Sequence, residues 1–425
     1  MVKAVIPRQR TPSSAEPGYP DHDPRSRPDG IGWVTRAVFP GRGVRITVGA
    51  DRGDGLRYAV VPSLDAARFL LPLPNRRVTA ASVLAYNALR PPKVRAFRAV
   101  VGVLARTGLL ALTRAPVLTV EGGPLLWDHL AGLLKTGPLH AAIGIRPPDP
   151  HHKPTLQLFD DGGRPRGYAK IGWNDGTRAM VRSEAATLAA LPPPEGDFPA
   201  APRLLVHTRW QDREIAVIEP MPRDVRRIRK PDAPRTAAML AVARRGGSAG
   251  TPERFDESAF LAGWRRRSAG ASMAARETTV EDAIDALVAR DGGLGLEFGD
   301  WHGDWVPWNM ARRRGSLLVW DWENHGEHVP VGFDLAHQAF QTALSTHGRP
   351  AAECAAAVDE ALARHGAALG VTNPRFVADA YLIELWLRTY ELSGGGAGWN
   401  PKLHPALLRV LAERLTLTAP SRGKI

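Results

Sequence analysis

Apolar and polar positions come in short, strand-length runs over the first half of the chain and recur at helical spacing over most of the second. Residues 1–30 are rich in Pro, Ser, Asp and Arg and poor in large apolar side chains. Such a composition cannot repay the entropy of ordering, so a disordered tail is expected there. The runs GWVTRAVF, VRITVGA, LRYAVVPS and ARFLLPLP follow, punctuated by Gly, Pro and Asp, and read as strands. Residues 79–89 open with a cap-like Thr79 and read as a helix ended by Pro91-Pro92. A second helical pattern covers 93–113, and PVLTV is one more strand. Residues 31–120 are thus expected as a small α+β module.

Beyond it, 125–134 is a short amphipathic helix ended by Gly137-Pro138. Three strands are expected next, LHAAIGIR, TLQLFDD and RGYAKIGW, the last two joined by the turn Asp161-Gly162-Gly163. Residues 183–191 read as a helix with Glu184 in its first turn, followed by the strands RLLVHTRW and EIAVIEP. From about 225 the pattern is mostly helical, except over 298–322. No internal repeat is present.

Composition narrows the picture. The length of 425 residues suits two to three domains at about 150 residues each. With one cysteine, Cys354, an intramolecular disulfide framework and a cysteine-rich zinc site are excluded, which fits a cytoplasmic setting. The N-terminus lacks the apolar core of a signal peptide. The best candidate for a membrane span, 97–120, is interrupted by Arg98, Arg106 and Arg114, so no membrane partner is expected. The net charge of +13 comes almost wholly from arginine. No nucleic-acid-binding motif accompanies it, so nucleic acid ranks last among partners.

The chemistry concentrates in 301–336. Asp304 and Asn309 lie five apart, and Asp321 stands twelve further on, at the end of the apolar strand SLLVW. Phosphoryl transfer from ATP needs such a set: one carboxylate to orient the attacking hydroxyl, and an amide oxygen with a second carboxylate to hold magnesium on the phosphates. Taken singly, these residues also serve as helix caps and turn formers.

The segment resembles the aminoglycoside phosphotransferase and choline kinase family, protein-kinase-like enzymes that phosphorylate small molecules. The family's catalytic loop, H-G-D-x-x-x-x-N, is matched by His302-Gly303-Asp304 and Asn309. Its metal strand, ending in D-W-E, is matched by Leu318-Val319-Trp320-Asp321-Trp322-Glu323, and its later G-x-D-L-A by Gly332-Phe333-Asp334-Leu335-Ala336. The resemblance covers roughly 125–420 and implies an α+β, two-lobed protein-kinase-like fold, β-rich then mostly helical, preceded by the small module. The implied division is 1–30 tail, 31–120 module, 121–222 first lobe ending in a hinge, and 223–420 helical lobe.

It also implies roles. Lys170, on the strand GYAKIGW, grips the phosphates, and Glu184, fourteen residues on, orders it. The hinge IAVIEPMP offers adenine a backbone N–H from Glu219 or Met221, since Pro220 and Pro222 have none, and Met221 is favoured. Asp304 is the catalytic carboxylate, and Asn309 and Asp321 bind Mg²⁺ with ATP. His302 packs the loop, and Asp334 receives loop N–H groups. The first hairpin departs from the family: its loop, RPPDPHHKP, is proline-rich where a phosphate-covering turn would be glycine-rich.

The implied activity is transfer of the γ-phosphate of ATP to a hydroxyl. Enzymes for polycationic acceptors need acidic pockets. This chain is basic, and its C-terminal half shows no acidic cluster beyond Glu384 and Glu391. A neutral or anionic acceptor is therefore expected: a sugar, a nucleoside-like metabolite or a Ser/Thr side chain on a peptide. Trp305 and Trp308 are expected to wall its pocket. The basic run Arg223, Arg226, Arg227, Arg229 and Lys230 reads as a solvated face or an anion-holding mouth. The alternative is a catalytically inactive kinase-like binding module. The sequence does not specify the oligomeric state.

Overall fold

A computed structural model describes residues 23–41, 43–49, 55–85, 89–108, 116–228, 233–245, 252–269, 279–394, 400 and 402–415. The fold is α+β. The described residues separate into two units, one comprising those up to Leu191 with Pro202–Arg227, the other Pro192–Ala201 with those from Ile228 onward.

The first unit is built on one antiparallel sheet. In chain order its elements are α1 (Gly30–Val38), β1 (Arg45–Gly49), β2 (Leu56–Val61), β3 (Phe69–Pro72), α2 (Arg76–Leu84), α3 (Pro92–Thr107), β4 (Val117–Glu121), α4 (Leu126–Leu133), β5 (Leu139–Gly144), β6 (Thr155–Asp160), β7 (Pro165–Gly172), α5 (Asp175–Ala190), β8 (Leu204–Trp210) and β9 (Arg213–Ile218). Among the described residues the strands order as β1-β4-β2-β3-β5-β6-β7-β9-β8. The expected module at 31–120 is therefore not separate. Its strands continue the sheet through the pairs Phe69–Gly144 and Leu70–Ile143. One core, from Ile31 and Tyr58 through Leu156 to Val217, runs under both halves.

Four further expectations change here. GWVTRAVF is helical, not a strand. The Asp29 carboxylate caps α1 by accepting from the N–H groups of Ile31 and Gly32. Ile31, Val34 and Val38 then fall on one buried stripe. The expected tail is corrected over its described part, 23–30. Residues 1–22 lie outside the described residues, but 23–30 are ordered by a buried ion pair, Arg25 Nη2 to Asp23 Oδ2 at 2.7 Å. Arg25 also donates to the carbonyls of Phe39, Gly41 and Val44. Charge pairing, not apolar burial, fixes this segment, and composition does not report it. Similarly, α2 is capped by Asn75 rather than Thr79. Helix α5 starts at a capping box of Asn174 and Thr177, which puts Glu184 in its middle and not its first turn.

The second unit is mostly helical. Its elements are α6 (Thr236–Ala243), β10 (Glu253–Arg254), α7 (Ala259–Ser268), α8 (Val280–Asp291), β11 (Gly295–Leu296), β12 (Phe298–Trp301), β13 (Met310–Arg313), β14 (Ser316–Val319), β15 (Gly326–Pro330), α9 (Phe333–Gln341), α10 (Ala351–His365), α11 (Pro374–Leu392) and α12 (His404–Arg414). Helix α11 is the hub: twelve consecutive residues, Phe376 to Leu387, are buried. Buried acids on it are paired. Asp379 takes Arg290 and Arg414, and Glu384 takes Arg267 and the Trp264 indole N–H. Against this bundle lie the two-stranded ladder β12–β15 and the hairpin β13–β14. The crossing segment Pro192–Ala201 joins the second: Ala200 exchanges backbone hydrogen bonds with Leu317 and Val319 at 2.8 and 2.9 Å, fixing β14 from its outer side.

Candidate active site

The loop between β12 and β13 carries Asp304 and Asn309, and Asp321 follows β14. The hairpin brings the latter two to one end. Met310 pairs with Val319, and the Trp320 N–H donates to the Asn309 carbonyl at 3.0 Å. Asn309 and Asp321 therefore flank the same open end of β13–β14. Asp321 adopts left-handed backbone angles, φ 65° and ψ 57°. A non-glycine residue there costs about 1–2 kcal/mol, and strain of this kind clusters at functional sites.

The Asp304 loop is held at several points. Asp334, at the start of α9, accepts from the backbone N–H groups of His302 (2.8 Å) and Gly303 (3.1 Å). Burial pushes the Asp334 carboxyl up to about 7, against the pull of these two bonds. Gly303 has φ +78°, and a Cβ there would stand 1.9 Å from the Asn324 carbonyl oxygen, so only glycine fits. Its own carbonyl accepts from Arg388 Nη1 of α11 at 2.6 Å. His302 is fully buried. Its Nδ1 accepts from the Asp304 N–H at 3.1 Å, and its Nε2–H points to the Trp320 carbonyl at 3.2 Å. Burial lowers His302 to about 4, so it is neutral and acts as a loop brace.

The Asp304 carboxylate has two donors. Asn309 Nδ2 donates to Oδ2 at 2.8 Å, and His337 Nε2 lies 3.1 Å from Oδ1. Burial alone would raise this carboxyl; His337, by hydrogen bond and charge, and then Arg388 outweigh it and hold it down to about 2. Burial lowers His337 from the usual histidine value, against the raising pull of Asp304. On its far side Nδ1 faces the Tyr381 hydroxyl at 3.1 Å. Burial drives the Tyr381 phenol well above its ordinary range, so it keeps its proton and donates to Nδ1. That fixes the tautomer, with the His337 proton on Nε2 and directed at Asp304. The result is an ionised, oriented carboxylate that remains partly open to solvent, with its side chain 30% exposed.

The donor set at the hairpin end fits a hard cation. Because Asn309 uses its Nδ2 on Asp304, its Oδ1 is turned to the other side, and no donor among the described residues reaches it. An amide oxygen and one carboxylate are a sparse set; among the described residues no group of three His, Cys, Asp or Glu could hold a metal. Mg²⁺ suits this, since it keeps several waters and takes one or two protein ligands together with phosphate oxygens.

In the first unit, Lys170 Nζ donates to Glu184 Oε1 at 2.6 Å, and both side chains are buried, at 7% and 0% exposure. The backbone at 219–221 differs between the two residues named as donors. The Glu219 N–H is spent on the Arg203 carbonyl at 2.8 Å, and its side chain pairs with Arg203. This corrects Glu219 as a backbone donor; the Met221 N–H has no acceptor among the described residues. The proline-rich loop after β5 is tied down by its carbonyls: Pro150 accepts from Asn174 Nδ2 and His152 from the Trp173 indole.

Other expectations shift. Trp305 is completely buried against His302 and walls no pocket, whereas Trp308 is 48% exposed. Arg229 and Lys230 lie outside the described residues. His337, Arg388 and Tyr381 had no signature in the sequence. His337 follows Asp334 by one helical turn, which is the single local hint.

No family model matches the sequence, and no curated protein matches it. Among solved structures, the chain is similar to a thermostable mutant of aminoglycoside phosphotransferase APH(4)-Ia. The TM-score is 0.43 at 12% identity, covering 70% of this chain and 100% of that one. It is also similar to macrolide 2'-phosphotransferase type I, with TM-score 0.40 at 18% identity over 67% of this chain and 96% of that one. A third is aminoglycoside 2'-phosphotransferase-IIIa in its GDP complex, with TM-score 0.39 at 12% identity over 62% and 89%. These are distant likenesses of general build, and the functional reading rests on the site.

Proposed function

We propose that the protein is an ATP- and Mg²⁺-dependent phosphotransferase acting on an alcohol group. The observation that carries this reading is the Asp304 carboxylate. It is ionised, aimed by His337 and Asn309, and placed on the same loop as the Asn309 amide that shares the end of β13–β14 with Asp321. The acceptor hydroxyl donates to an Asp304 oxygen and is thereby aligned. A carboxylate held near 2 is a feeble base, so it takes the proton only late, once bond formation to phosphorus has made that proton acidic. Asn309 Oδ1 and Asp321 would hold Mg²⁺, which when bound neutralises charge on the phosphates. Lys170 grips phosphate oxygens while Glu184 keeps its ammonium in place. Met221 supplies a backbone N–H, and Glu219 its carbonyl, to the adenine edge.

The acceptor is neutral or anionic. The acidic cluster that the sequence does offer, Glu384 and Glu391, is committed to Arg267, at 2.7 Å each. The test is calorimetric titration with ATP, with and without magnesium, on the intact protein and on Asp321→Ala. Magnesium should tighten nucleotide binding by about tenfold or more in the former and little in the variant. Equal magnesium dependence in both would remove Asp321 from the metal role.

A further inference from the structure

Between Asp65 and Glu121 the chain has no acidic residue, where about five would be expected at the average of 43 in 425. The same stretch carries Arg68, Arg76, Arg77, Arg90, Lys93, Arg95, Arg98, Arg106 and Arg114. Among its described residues are strands β3 and β4 and, between them, the helix pair α2–α3. Helix α3 rests on α2 through a narrow strip of small residues: Gly102 and Ala105 are buried, and a Cβ at Gly102 would meet Leu84 Cγ at 3.2 Å. The stem of Arg98 also lies on α2, its Nε donating to the Val83 carbonyl at 2.7 Å.

The outer side of α3 is apolar and uncovered. Phe97 is 69% exposed, Val100 59%, Val103 62% and Leu104 38%. Residues 97, 100 and 104 follow three-then-four spacing, so they form one stripe. A contiguous exposed stripe of large apolar side chains marks an interaction surface. Its surroundings are cationic: among the described residues Arg90, Lys93 and Arg106 form no ion pair.

We propose that this face of α3 docks on an anionic lipid surface. Apolar side chains on one face with Lys and Arg around them are what a helix lying in a membrane interface presents. The cationic side chains of this stretch are complementary to anionic headgroups. A second copy of the chain fits poorly, because apposing two such faces would set like charge against like. A polyanion such as nucleic acid would use the cations but gain nothing from Phe97, Val100 and Val103. The sixteen residues of α3 are too few to span a bilayer, and no helix among the described residues is long and apolar enough to do so. Docking on the surface requires no span, so the charges that break 97–120 as a spanning segment become part of the recognition.

The experiment is vesicle flotation of the full chain with phosphatidylcholine vesicles and with vesicles that also contain phosphatidylglycerol. Binding is expected to the anionic vesicles and should weaken with added salt. Phe97→Asp should reduce it by about tenfold or more. Lys93→Gln and Arg106→Gln should each reduce it about fivefold. Since these side chains are exposed, the melting temperature of each variant should match that of the unaltered protein; should Phe97→Asp melt early, Val100→Asp replaces it. Absence of binding to anionic vesicles, or equal binding to both kinds, overturns the proposal. So does a binding loss in the Lys and Arg variants with none in Phe97→Asp, the signature of a polyanion. A dimer that Phe97→Asp dissolves, without vesicle binding, would assign the face to a second copy.

Discussion

Asp304→Asn isolates the charge on which the proposed chemistry turns. The substitution keeps volume and shape. In the structure both carboxylate oxygens are acceptors, Oδ2 for Asn309 Nδ2 and Oδ1 for His337 Nε2. An amide has one oxygen, so its NH₂ must face one of these donors, and one hydrogen bond is lost. An unmade bond to a buried donor costs about 1–3 kcal/mol, enough to turn the side chain from its working orientation. The amide also cannot receive the acceptor's proton. Positioned acid–base groups contribute about 10²–10⁴ in rate, or about 3–5.5 kcal/mol of barrier. We expect kcat to fall by that factor while KM for ATP changes little, because Asn309 and Asp321 remain. The assay is steady-state ADP release with an acceptor found by screening, beside calorimetric ATP titration. Near-normal kcat would refute the catalytic role of Asp304. Loss of nucleotide binding would instead place Asp304 among the metal ligands and overturn the division of labour.

Two further outcomes follow from buried charge. Breaking the buried Lys170–Glu184 pair by removing one member typically costs about 3–5 kcal/mol, whereas removing both does not leave one charge facing an apolar replacement. Lys170→Met and Glu184→Leu should thus each lower the melting temperature and ATP use, and the double variant should melt above either single one; simple summation of the losses would sink the pairing. His302 bears on pH. Its folded value of about 4 lies below the usual 6.5, so the unfolded chain binds the proton more tightly. Stability from this group is present above about 6.5 and is lost as pH falls toward 4, amounting to about 3 kcal/mol. Thermal melts from pH 7 to 4 should decline less steeply in His302→Gln than in the unaltered protein, and parallel curves would show that His302 is not the group titrating.

The parts of this molecule that could be read from sequence are those fixed by short spacing. Asp304, Asn309 and Asp321 stand on one loop and one hairpin, so their order along the chain nearly determines their arrangement in space. Lys170 and Glu184 are separated by one strand and half a helix, and their pairing follows from how β7 feeds α5. Where an element depends on distant partners, local pattern failed. GWVTRAVF has the β-branched and aromatic content of a strand, yet Asp29 and the chain before it start a helix. The continuation of the sheet across 120 rests on two residue pairs between β3 and β5, for which no local signal exists.

The same distinction applies within the site. The H-G-D-x-x-x-x-N pattern supplies the carboxylate, but its charge state and aim come from elsewhere: His337 on α9, Tyr381 and Arg388 on α11, and Asp334 beneath the loop. Arg388 is 85 residues from the carbonyl it holds and reaches it only because α11 is buried along most of its length. Had the bundle packed α11 one turn differently, the loop sequence would be unchanged while Gly303 lost its guanidinium. Asp304 would then keep burial, which raises its carboxyl, without the charge that offsets it. Motif residues alone therefore do not distinguish a working phosphotransferase from an inactive binding module. Here the supporting groups are in place around Asp304, and that arrangement, more than the motif, favours the enzyme.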